Sequence, residues 1–491
     1  MKRRTGILLA ISSIPSEYGI GGFSKEAYEF VDFLSDAGQS LWQILPLGPT
    51  GYGDSPYQSF STFAGNPYYI DLEQFIEKGW LTKADCKKYK VSHPEYVDYE
   101  AIFNSRYALL RKAYKASNIE NDPDFKRFVK ENEYWLDGYA LYMAIKDSKK
   151  GLAWTQWEDD IKTRKSAAVK KYREKLNDDY TFYCFQQYFF STQWYKLKAY
   201  ANDKGIEIIG DLPIYVAMDS ADTWSNPELF ELDADCNPTH VAGCPPDAFT
   251  ADGQLWGNPL YKWDYHKKTG YKWWFERMAH CYKFYDIVRI DHFRGFDEYY
   301  SIKYGMKNAK IGQWLPGPAY NFFKEMKSKL GNKQVIAEDL GFMTDSVRKL
   351  VKKTGYPNMK VLEFGFDSES DSEHAPHNHV SNCVVYTGTH DNDTITHWYQ
   401  TLKRKEKAYV RKYLDVKRGG DVCDRMIRAA LASVADTAII PMQDYLGLGG
   451  EARMNMPSTL GTNWKWRMRK DALTPALAER LRGMADTYRR I

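Results

Sequence analysis

Short apolar runs alternate with amphipathic stretches along most of the chain, and this alternation constrains the fold more than any other feature. Eight runs rich in aliphatic or β-branched residues end in polar residues, glycine or proline, as buried strands do. They begin near Gly6, Leu41, Ile206, Asp286, Gln334, Met359, Cys383 and Thr437. Strands that alternate with helices form a parallel sheet, and eight repeats predict closure into a barrel. We therefore predict an α/β protein with the (β/α)8 TIM barrel fold.

Helical periodicity separates most of these runs. Apolar residues within 27–34 recur at helical spacing behind Ser24, which we expect to be the N-cap. Farther along, Asp122-Pro123 supplies a cap and a proline for the first turn of another helix. We expect that helix to present one apolar face from Phe125 to Tyr139.

The chain is longer than a bare barrel requires. It has 491 residues, whereas a (β/α)8 barrel takes roughly 250, so about half of the chain must be insertion. We expect a single catalytic domain over residues 1–491, with a mainly helical insertion over residues 66–202 between the second and third strands. A second insertion, over residues 219–285, is rich in Gly, Pro and Trp and is expected to consist of long loops.

Composition excludes several classes of function. The 68 basic and 64 acidic residues nearly balance, which indicates no nucleic-acid partner, and we interpret the basic run 467–470 as a solvated helix face. No apolar stretch approaches the roughly 20 residues that span a bilayer, so no membrane association is expected. The apolar run after Met1 is interpreted as the first strand and not as a signal peptide. Seven scattered cysteines without a Cys-x-x-Cys pair indicate a reducing compartment, the cytoplasm.

Three of the apolar runs are followed by carboxylates, where a barrel places its active site. The motifs are Arg289-Ile290-Asp291, Ile336-Ala337-Glu338 and Thr389-His390-Asp391. Asp291 could attack an anomeric carbon, Glu338 could act as general acid and then base, and Asp391 could bind sugar hydroxyls. Each motif alone also fits a structural role: an Arg-Asp pair, an acid at a helix start or a His-Asp pair. Together they indicate cleavage of glycosidic bonds.

A histidine-rich segment offers a competing interpretation. His374, His377 and His379 are close enough in sequence to suggest a metal site. The proline and the Ser/Asp/Glu-rich surroundings indicate a solvated loop instead. No other cluster has convincing ligand spacing, so we expect neither a metal nor a cofactor.

Motifs distributed in order along the chain resemble the amylomaltase family of 4-α-glucanotransferases, also called disproportionating enzymes. In addition to the three carboxylate motifs, they are 53–58 (GDSPYQ), 210–216 (GDLPIYV), 243–249 (GCPPDAF), 257–261 (GNPLY), 453–457 (RMNMP) and 462–464 (TNW). The resemblance covers essentially the whole chain. It implies the transfer of α-1,4-glucan segments between maltooligosaccharides or glucans, with retention at the anomeric carbon through a covalent glycosyl-enzyme.

The resemblance also implies roles for individual residues. Asp291 matches the nucleophile, Glu338 the acid/base and Asp391 the transition-state stabiliser. The residues implied to bind substrate are Tyr57, Asp211, Arg289, His390 and Asn463 in the donor site, Gln254 and Trp256 in a mobile loop over residues 243–261, and Tyr52 in an additional glucan-binding surface. The sequence leaves two alternatives open: an α-1,4-glucan hydrolase with the same carboxylates, and a catalytically inactive glucan-binding protein. It leaves the oligomeric state open as well.

Overall fold

The computed structural model describes residues 3–51, 53–87, 93–246, 250–417 and 420–491. This part of the chain contains twelve strands. They are β1 (Arg4–Leu8), β2 (Leu41–Gln43), β3 (Glu207–Pro213), β4 (His240–Cys244), β5 (Gln254–Pro259), β6 (Ile287–Asp291), β7 (Glu298–Lys303), β8 (Gln313–Pro316), β9 (Val335–Ala337), β10 (Asn358–Val361), β11 (Cys383–Tyr386) and β12 (Thr437–Pro441).

Eight of these strands form a closed barrel in the order β1-β12-β11-β10-β9-β6-β3-β2. Every neighbouring pair is parallel, and β1 closes the barrel by pairing with both β2 and β12. The strands are almost entirely buried and rich in aliphatic residues, as expected when helices cover the outer face of a parallel sheet. The predicted (β/α)8 barrel is confirmed, and each barrel strand begins within two residues of the predicted position.

Helices surround the barrel and form most of the inserted segments. Within the described residues they are α1 (Lys25–Asp36), α2 (Glu73–Glu77), α3 (Lys83–Lys87), α4 (Tyr99–Ser117), α5 (Pro123–Glu131), α6 (Glu133–Ser148), α7 (Asp159–Lys162), α8 (Ser166–Lys175), α9 (Asn177–Asp203), α10 (Ala221–Ser225), α11 (Trp263–Lys268), α12 (Lys272–Phe284), α13 (Ala319–Leu330), α14 (Asp345–Thr354), α15 (Ile395–Thr401), α16 (Arg404–Tyr413), α17 (Val422–Ala432), α18 (Met442–Tyr445) and α19 (Pro475–Thr487).

The segment between β2 and β3 carries α2 to α9. Asp122 caps α5 as expected, because its carboxylate accepts hydrogen bonds from the backbone N–H groups of Asp124 and Phe125. The apolar face expected as far as Tyr139 is divided between two helices, because α5 ends before Asn132 and α6 begins after it. The Asn132 side chain donates to the carbonyl of Phe128 and accepts from the Trp135 indole, and such local bonds compete with a continuous helix.

The segment between β3 and β6 is more ordered than the expected long loops. It contains α10 to α12 and the strands β4 and β5, which join β7 and β8 in a separate antiparallel sheet of order β5-β4-β7-β8. Val241, Tyr300 and Ile302 are buried together between its strands, which explains why a Gly- and Pro-rich stretch folds into a sheet.

Two surface features also differ from expectation. The basic run 467–470 does not lie on a helix, and Arg467 is buried and donates to the carbonyls of Ser16 and His93. Its interpretation as a solvated helix face is therefore wrong. His379 is likewise buried, so the histidine-rich segment is packed and not simply a solvated loop. Among the helices in the described ranges, none is long and apolar enough to cross a membrane.

Candidate active site

Asp291 and Glu338 face each other at the ends of two adjacent barrel strands. Ile290 on β6 pairs with Ala337 on β9, so the next residue of each strand stands opposite the other. The backbone N–H of Glu338 donates to the Ile290 carbonyl over 3.1 Å. Neighbouring strands lie about 4.8 Å apart, so the two carboxyl groups enter the same cavity from adjacent positions.

Both oxygens of the Glu338 carboxyl group are fixed by backbone donors. The N–H of His292 lies 2.6 Å from Oε2, and the N–H of Leu340 lies 2.8 Å from Oε1. His292 adopts a left-handed conformation with φ of 51°, which is uncommon for a residue other than glycine. The strand therefore turns sharply just after Asp291, and this turn aims the amide of His292 at Glu338.

The surroundings of these two carboxyl groups favour different protonation states. Burial raises the pKa of Glu338, and the nearby negative charge of Asp291 raises it further. Burial also raises the pKa of Asp291, but the Arg289 guanidinium, 3.1 Å from Oδ1, opposes that effect. Glu338 therefore keeps its proton to a higher pH than Asp291, which is the order that a general acid beside a nucleophile requires.

A hydrogen-bond network joins the residues implied to bind the donor. The Arg289 Nη1 atom donates to both carboxylate oxygens of Asp211, over 2.7 and 2.8 Å, as well as to Asp291. The Tyr57 hydroxyl donates to Asp211 over 2.6 Å and lies 2.9 Å from Nε2 of His390. The structure thus brings four of the expected binding residues into direct contact beside the Asp291 carboxylate.

Asp391 is held as a carboxylate at the edge of this network. His390 Nε2 lies 3.3 Å from Oδ2, and Asn455 donates to Oδ1 over 2.6 Å. Burial alone would raise the pKa of Asp391, but His390 and Asn455 outweigh burial and lower it to about 2. Arg453 fixes the backbone by donating to the Asp391 carbonyl over 3.0 Å. A fixed negative charge of this kind is able to stabilise a positively charged transition state.

A buried acid supports the turn that carries Asp391, and the sequence analysis did not identify it. Asn392 accepts hydrogen bonds from the backbone N–H and the hydroxyl of Thr389, both over 2.9 Å, and donates to Oε2 of Glu363 over 3.3 Å. Burial raises the pKa of Glu363 well above its ordinary value, and the nearby Asp444 raises it further. These surroundings favour the protonated, neutral form of Glu363.

Gln254 and Trp256 lie on β5, next to the turn after Asp291. The Trp256 indole donates to the Gln254 side chain over 3.1 Å, and its ring stands nearly perpendicular to that of His292, with centroids 4.8 Å apart. Burial and the charge of Arg294 lower the pKa of His292 to about 3, so its imidazole is neutral. Trp256 on β5 therefore packs against the residue that follows Asp291.

Asn463 does not join the network in the described structure. Its side chain accepts from the N–H of Met456 over 3.0 Å and donates to the Thr459 carbonyl over 2.9 Å, so it fixes its own loop. The next residue, Trp464, instead packs 5.8 Å from the Tyr57 ring and 5.9 Å from that of His390. Trp464 and Asn455 were missed as site residues, although both lie within motifs 453–457 and 462–464. Tyr52 lies outside the described residues.

The histidine-rich segment uses its side chains in separate contacts. The N–H of Val361 donates to His374, His377 lies 3.2 Å from Asp371, and His379 lies 2.9 Å from the carbonyl of His374. In the part of the chain that the structure describes, no three His, Cys, Asp or Glu residues are grouped as metal ligands would be.

Comparison with known proteins identifies relatives over the full length of the chain. The profile of the 4-alpha-glucanotransferase family (Glyco_hydro_77) matches residues 9–474. A 4-alpha-glucanotransferase of Streptococcus pneumoniae is 50% identical over 494 residues, which cover 100% of this chain and 98% of the relative. Another from Clostridium butyricum is 48% identical, covering 98% of this chain and 99% of its own length.

Solved structures give the same result. The amylomaltase from Streptococcus agalactiae in complex with acarbose superposes with a TM-score of 0.97 at 44% identity, covering 100% of both chains. The amylomaltase from Corynebacterium glutamicum superposes with a TM-score of 0.78 over 99% of this chain and 74% of its own. At 17% identity, the second match shows the shared fold only.

Proposed function

Because the chain belongs to the 4-α-glucanotransferase family, we propose that it transfers α-1,4-glucan segments by a retaining double displacement on Asp291, Glu338 and Asp391. The enzyme moves a glucan segment from a donor chain to an acceptor. The observation that carries the proposed mechanism is the opposed pair Asp291 and Glu338, in which surroundings at adjacent strand ends favour an ionised and a protonated carboxyl group.

In the first displacement, an oxygen of Asp291 attacks the anomeric carbon of the donor sugar. The bond from that carbon to the glycosidic oxygen breaks, and Glu338 gives its proton to the departing oxygen. Asp391 remains ionised and stabilises the positive charge that develops on the sugar ring. The first product leaves with a free 4-hydroxyl group, and the donor segment remains as an ester of Asp291.

In the second displacement, Glu338 is the base. It removes the proton from the 4-hydroxyl of an acceptor glucan or glucose, whose oxygen attacks the anomeric carbon as the bond to Asp291 breaks. Two inversions at one carbon restore its configuration, so the new bond is α-1,4 like the old one. The pKa of Glu338 suits both roles, because burial and the Asp291 charge raise it and it falls when that charge is lost in the ester.

Tyr57, Asp211, Arg289 and His390 would bind the donor sugar next to the bond that is cleaved. Their mutual hydrogen bonds fix the side chains before substrate arrives, which favours a reactive geometry. Asn463, Gln254 and Trp256 would act in substrate binding from the surrounding segments. The Tyr52 contribution to a second glucan surface stays a prediction from the family resemblance.

The products formed from maltotriose test this function. A transferase releases glucose and builds longer maltooligosaccharides, with almost no net gain of reducing ends. A hydrolase with the same carboxylates would give only shorter sugars and a steady rise in reducing ends, and an inactive glucan-binding protein would leave maltotriose unchanged. Asp291→Asn and Glu338→Gln should each abolish turnover, and the intact far-ultraviolet circular dichroism of both variants would show that the fold is preserved.

A further inference from the structure

Phe342 exposes an aromatic ring on the loop that follows the candidate acid/base. Its side chain is 68% exposed, although it lies only four residues after Glu338. The loop that carries it is fixed at both ends: Leu340 donates to the Glu338 carboxyl over 2.8 Å, and the Arg294 guanidinium donates to the Phe342 carbonyl. An exposed aromatic ring on a loop held by these two hydrogen bonds is available to stack on a ligand.

A layered support lies beneath this ring. The guanidinium carbon of Arg294 is 3.6 Å from the centre of the Trp314 ring and 5.9 Å from the centre of the Phe342 ring. Trp314 in turn packs against Tyr300, with ring centroids 5.1 Å apart. Cation–π contacts of this kind fix ring orientation, so Phe342 is supported on one side while much of its surface remains in solvent.

The position of Phe342 indicates which part of the substrate it would meet. The donor-side network of Tyr57, Asp211 and His390 lies on one side of Asp291. Glu338 must face the oxygen between the donor sugar and the sugar that leaves or enters. The loop after Glu338 leaves β9 at the end of the barrel that carries both carboxyl groups, so with this mechanism it would lie toward the acceptor side of the cleft.

We propose that Phe342 is a stacking platform for an acceptor glucan, beyond the sugar that receives the new bond. This inference rests on the proposed function. The apolar face of a glucose ring would pack on the exposed ring of Phe342, as C–H groups pack on aromatic faces. A single glucose has no second ring to place there, whereas maltotriose has two. Phe342 would thus make the enzyme favour longer acceptors.

Acceptor kinetics with a donor whose non-reducing end is blocked test the platform. Such a donor cannot itself accept a segment. A label on its blocked end allows initial transfer of that segment to be counted apart from the reaction of maltotriose with itself, so the KM of each added acceptor can be measured separately. We expect Phe342→Ala to raise the KM for maltotriose about fivefold and to leave the KM for glucose unchanged. Phe342→Trp should restore the maltotriose KM, and Phe342→Leu should not. Val434→Ala, an equally simple truncation of an exposed apolar residue just before β12, should change neither KM.

The outcomes separate this inference from the proposed function. If wild-type enzyme transfers to both acceptors and Phe342→Ala has the wild-type KM for maltotriose, the platform does not exist. An equal rise in KM for glucose and maltotriose would also overturn it, because the effect would then lie at the first acceptor sugar. If the wild-type enzyme transfers to neither acceptor while consuming the donor, the proposed function itself fails.

Discussion

At the scale of single residues, the candidate reaction depends on how one barrel assigns different protonation states to neighbouring carboxyl groups. Asp391 accepts from Asn455 and contacts His390, and its pKa is lowered to about 2. Burial and the negative charge of Asp291 raise the pKa of Glu338, although the backbone N–H groups of His292 and Leu340 oppose the rise. The surroundings therefore favour the anion at one carboxyl group and the protonated acid at the other.

This difference predicts a bell-shaped dependence of kcat/KM on pH. Activity should fall at low pH because Asp291 takes up a proton, and at high pH because Glu338 loses its own.

Asp291→Asn removes the charge that disfavours ionisation of Glu338, so the pKa of Glu338 should fall by about one unit or more. Titration of 13C-labelled glutamate carboxyls by NMR would measure it. Asp345→Asn, in the first turn of α14, is the control, and an unchanged Glu338 pKa in Asp291→Asn would contradict the expected coupling.

Glu363 gives a second prediction, because it supports Asn392 as a neutral acid. Glu363→Gln keeps the size and the neutrality of the side chain, so kcat should stay within about twofold of wild type. Glu363→Ala removes the acceptor of Asn392 and loosens the turn of Asp391, so kcat should fall about ten- to hundredfold. KM should change little, since Asp391 is expected to act mainly in the transition state.

Glu369→Ala is the control for Glu363, because Glu369 is an exposed acid on the same connection. A structural role alone would lower the melting temperature without this separation of kcat from KM. Equal losses of kcat in Glu363→Gln and Glu363→Ala would show that the hydrogen bond from Asn392 is not what matters.

The sequence predicts the site residues at the ends of strands, but it does not predict the residues that hold those side chains in place. Asp291, Glu338 and Asp391 could be selected because strand ends converge in a barrel. Glu363 could not, because it follows β10 within an apolar run and only the folded turn brings it beneath Asn392. Trp464 was passed over in favour of Asn463, since a sequence motif does not show which of two adjacent side chains turns inward.

At the scale of elements, the sheet formed by β4, β5, β7 and β8 positions side chains next to the candidate active site. It places Trp256 against His292, the residue that follows Asp291. The segment was expected to be a loop because its glycines and prolines interrupt any strand pattern. Pairing of β4 with β7, which is distant in sequence, supplies the hydrogen bonds that local propensity does not predict. Pairing between distant segments, and not local sequence preference, therefore explains why this segment forms strands.

Trp256→Ala tests whether this border limits the entry of water. We expect the ratio of hydrolysis to transfer to rise several-fold, because water would reach the Asp291 ester more easily while the acceptor is held less firmly. Reducing-end release and product length from maltotriose measure the two reactions. Leu255→Ala is a matched control, since adjacent side chains on a strand point to opposite faces. If Trp256→Ala keeps the wild-type ratio of hydrolysis to transfer, Trp256 does not limit the entry of water.

At the scale of the whole molecule, the fold could be predicted from the sequence because barrel strands leave a simple pattern. All eight were located, since buried parallel strands are continuous apolar runs. The closure of the barrel was less accessible, because it depends on pairing between β1 and β12, which are more than 400 residues apart. The charged residues that support this closure, such as Arg490, resemble ordinary surface residues in the sequence.

Arg490 lies fully buried at the closure and is held by backbone carbonyls. Its guanidinium donates to the carbonyls of Leu431, Arg4, Ala435 and Ser433 over 2.7 to 3.2 Å. These carbonyls belong to β1, to the end of α17 and to the turn before β12, so one side chain joins both sides of the seam. No carboxylate balances its charge in these bonds, and burial lowers the pKa of Arg490 to about 10.

Removal of this side chain should therefore weaken the barrel as a whole. Arg490→Ala would leave several buried carbonyls without donors, so we expect the free energy of unfolding to fall by about 3 kcal/mol or more. Arg489→Ala, in which only an exposed contact with Asp486 is lost, should change it by less than about 0.5 kcal/mol. Urea unfolding followed by tryptophan fluorescence measures the free energy of unfolding of both variants.

Because the closure lies at the ends of the strands away from the carboxylates, kcat of the folded Arg490→Ala enzyme should remain near wild type. Equal stability of the two variants would show that the seam is held by strand pairing and packing alone.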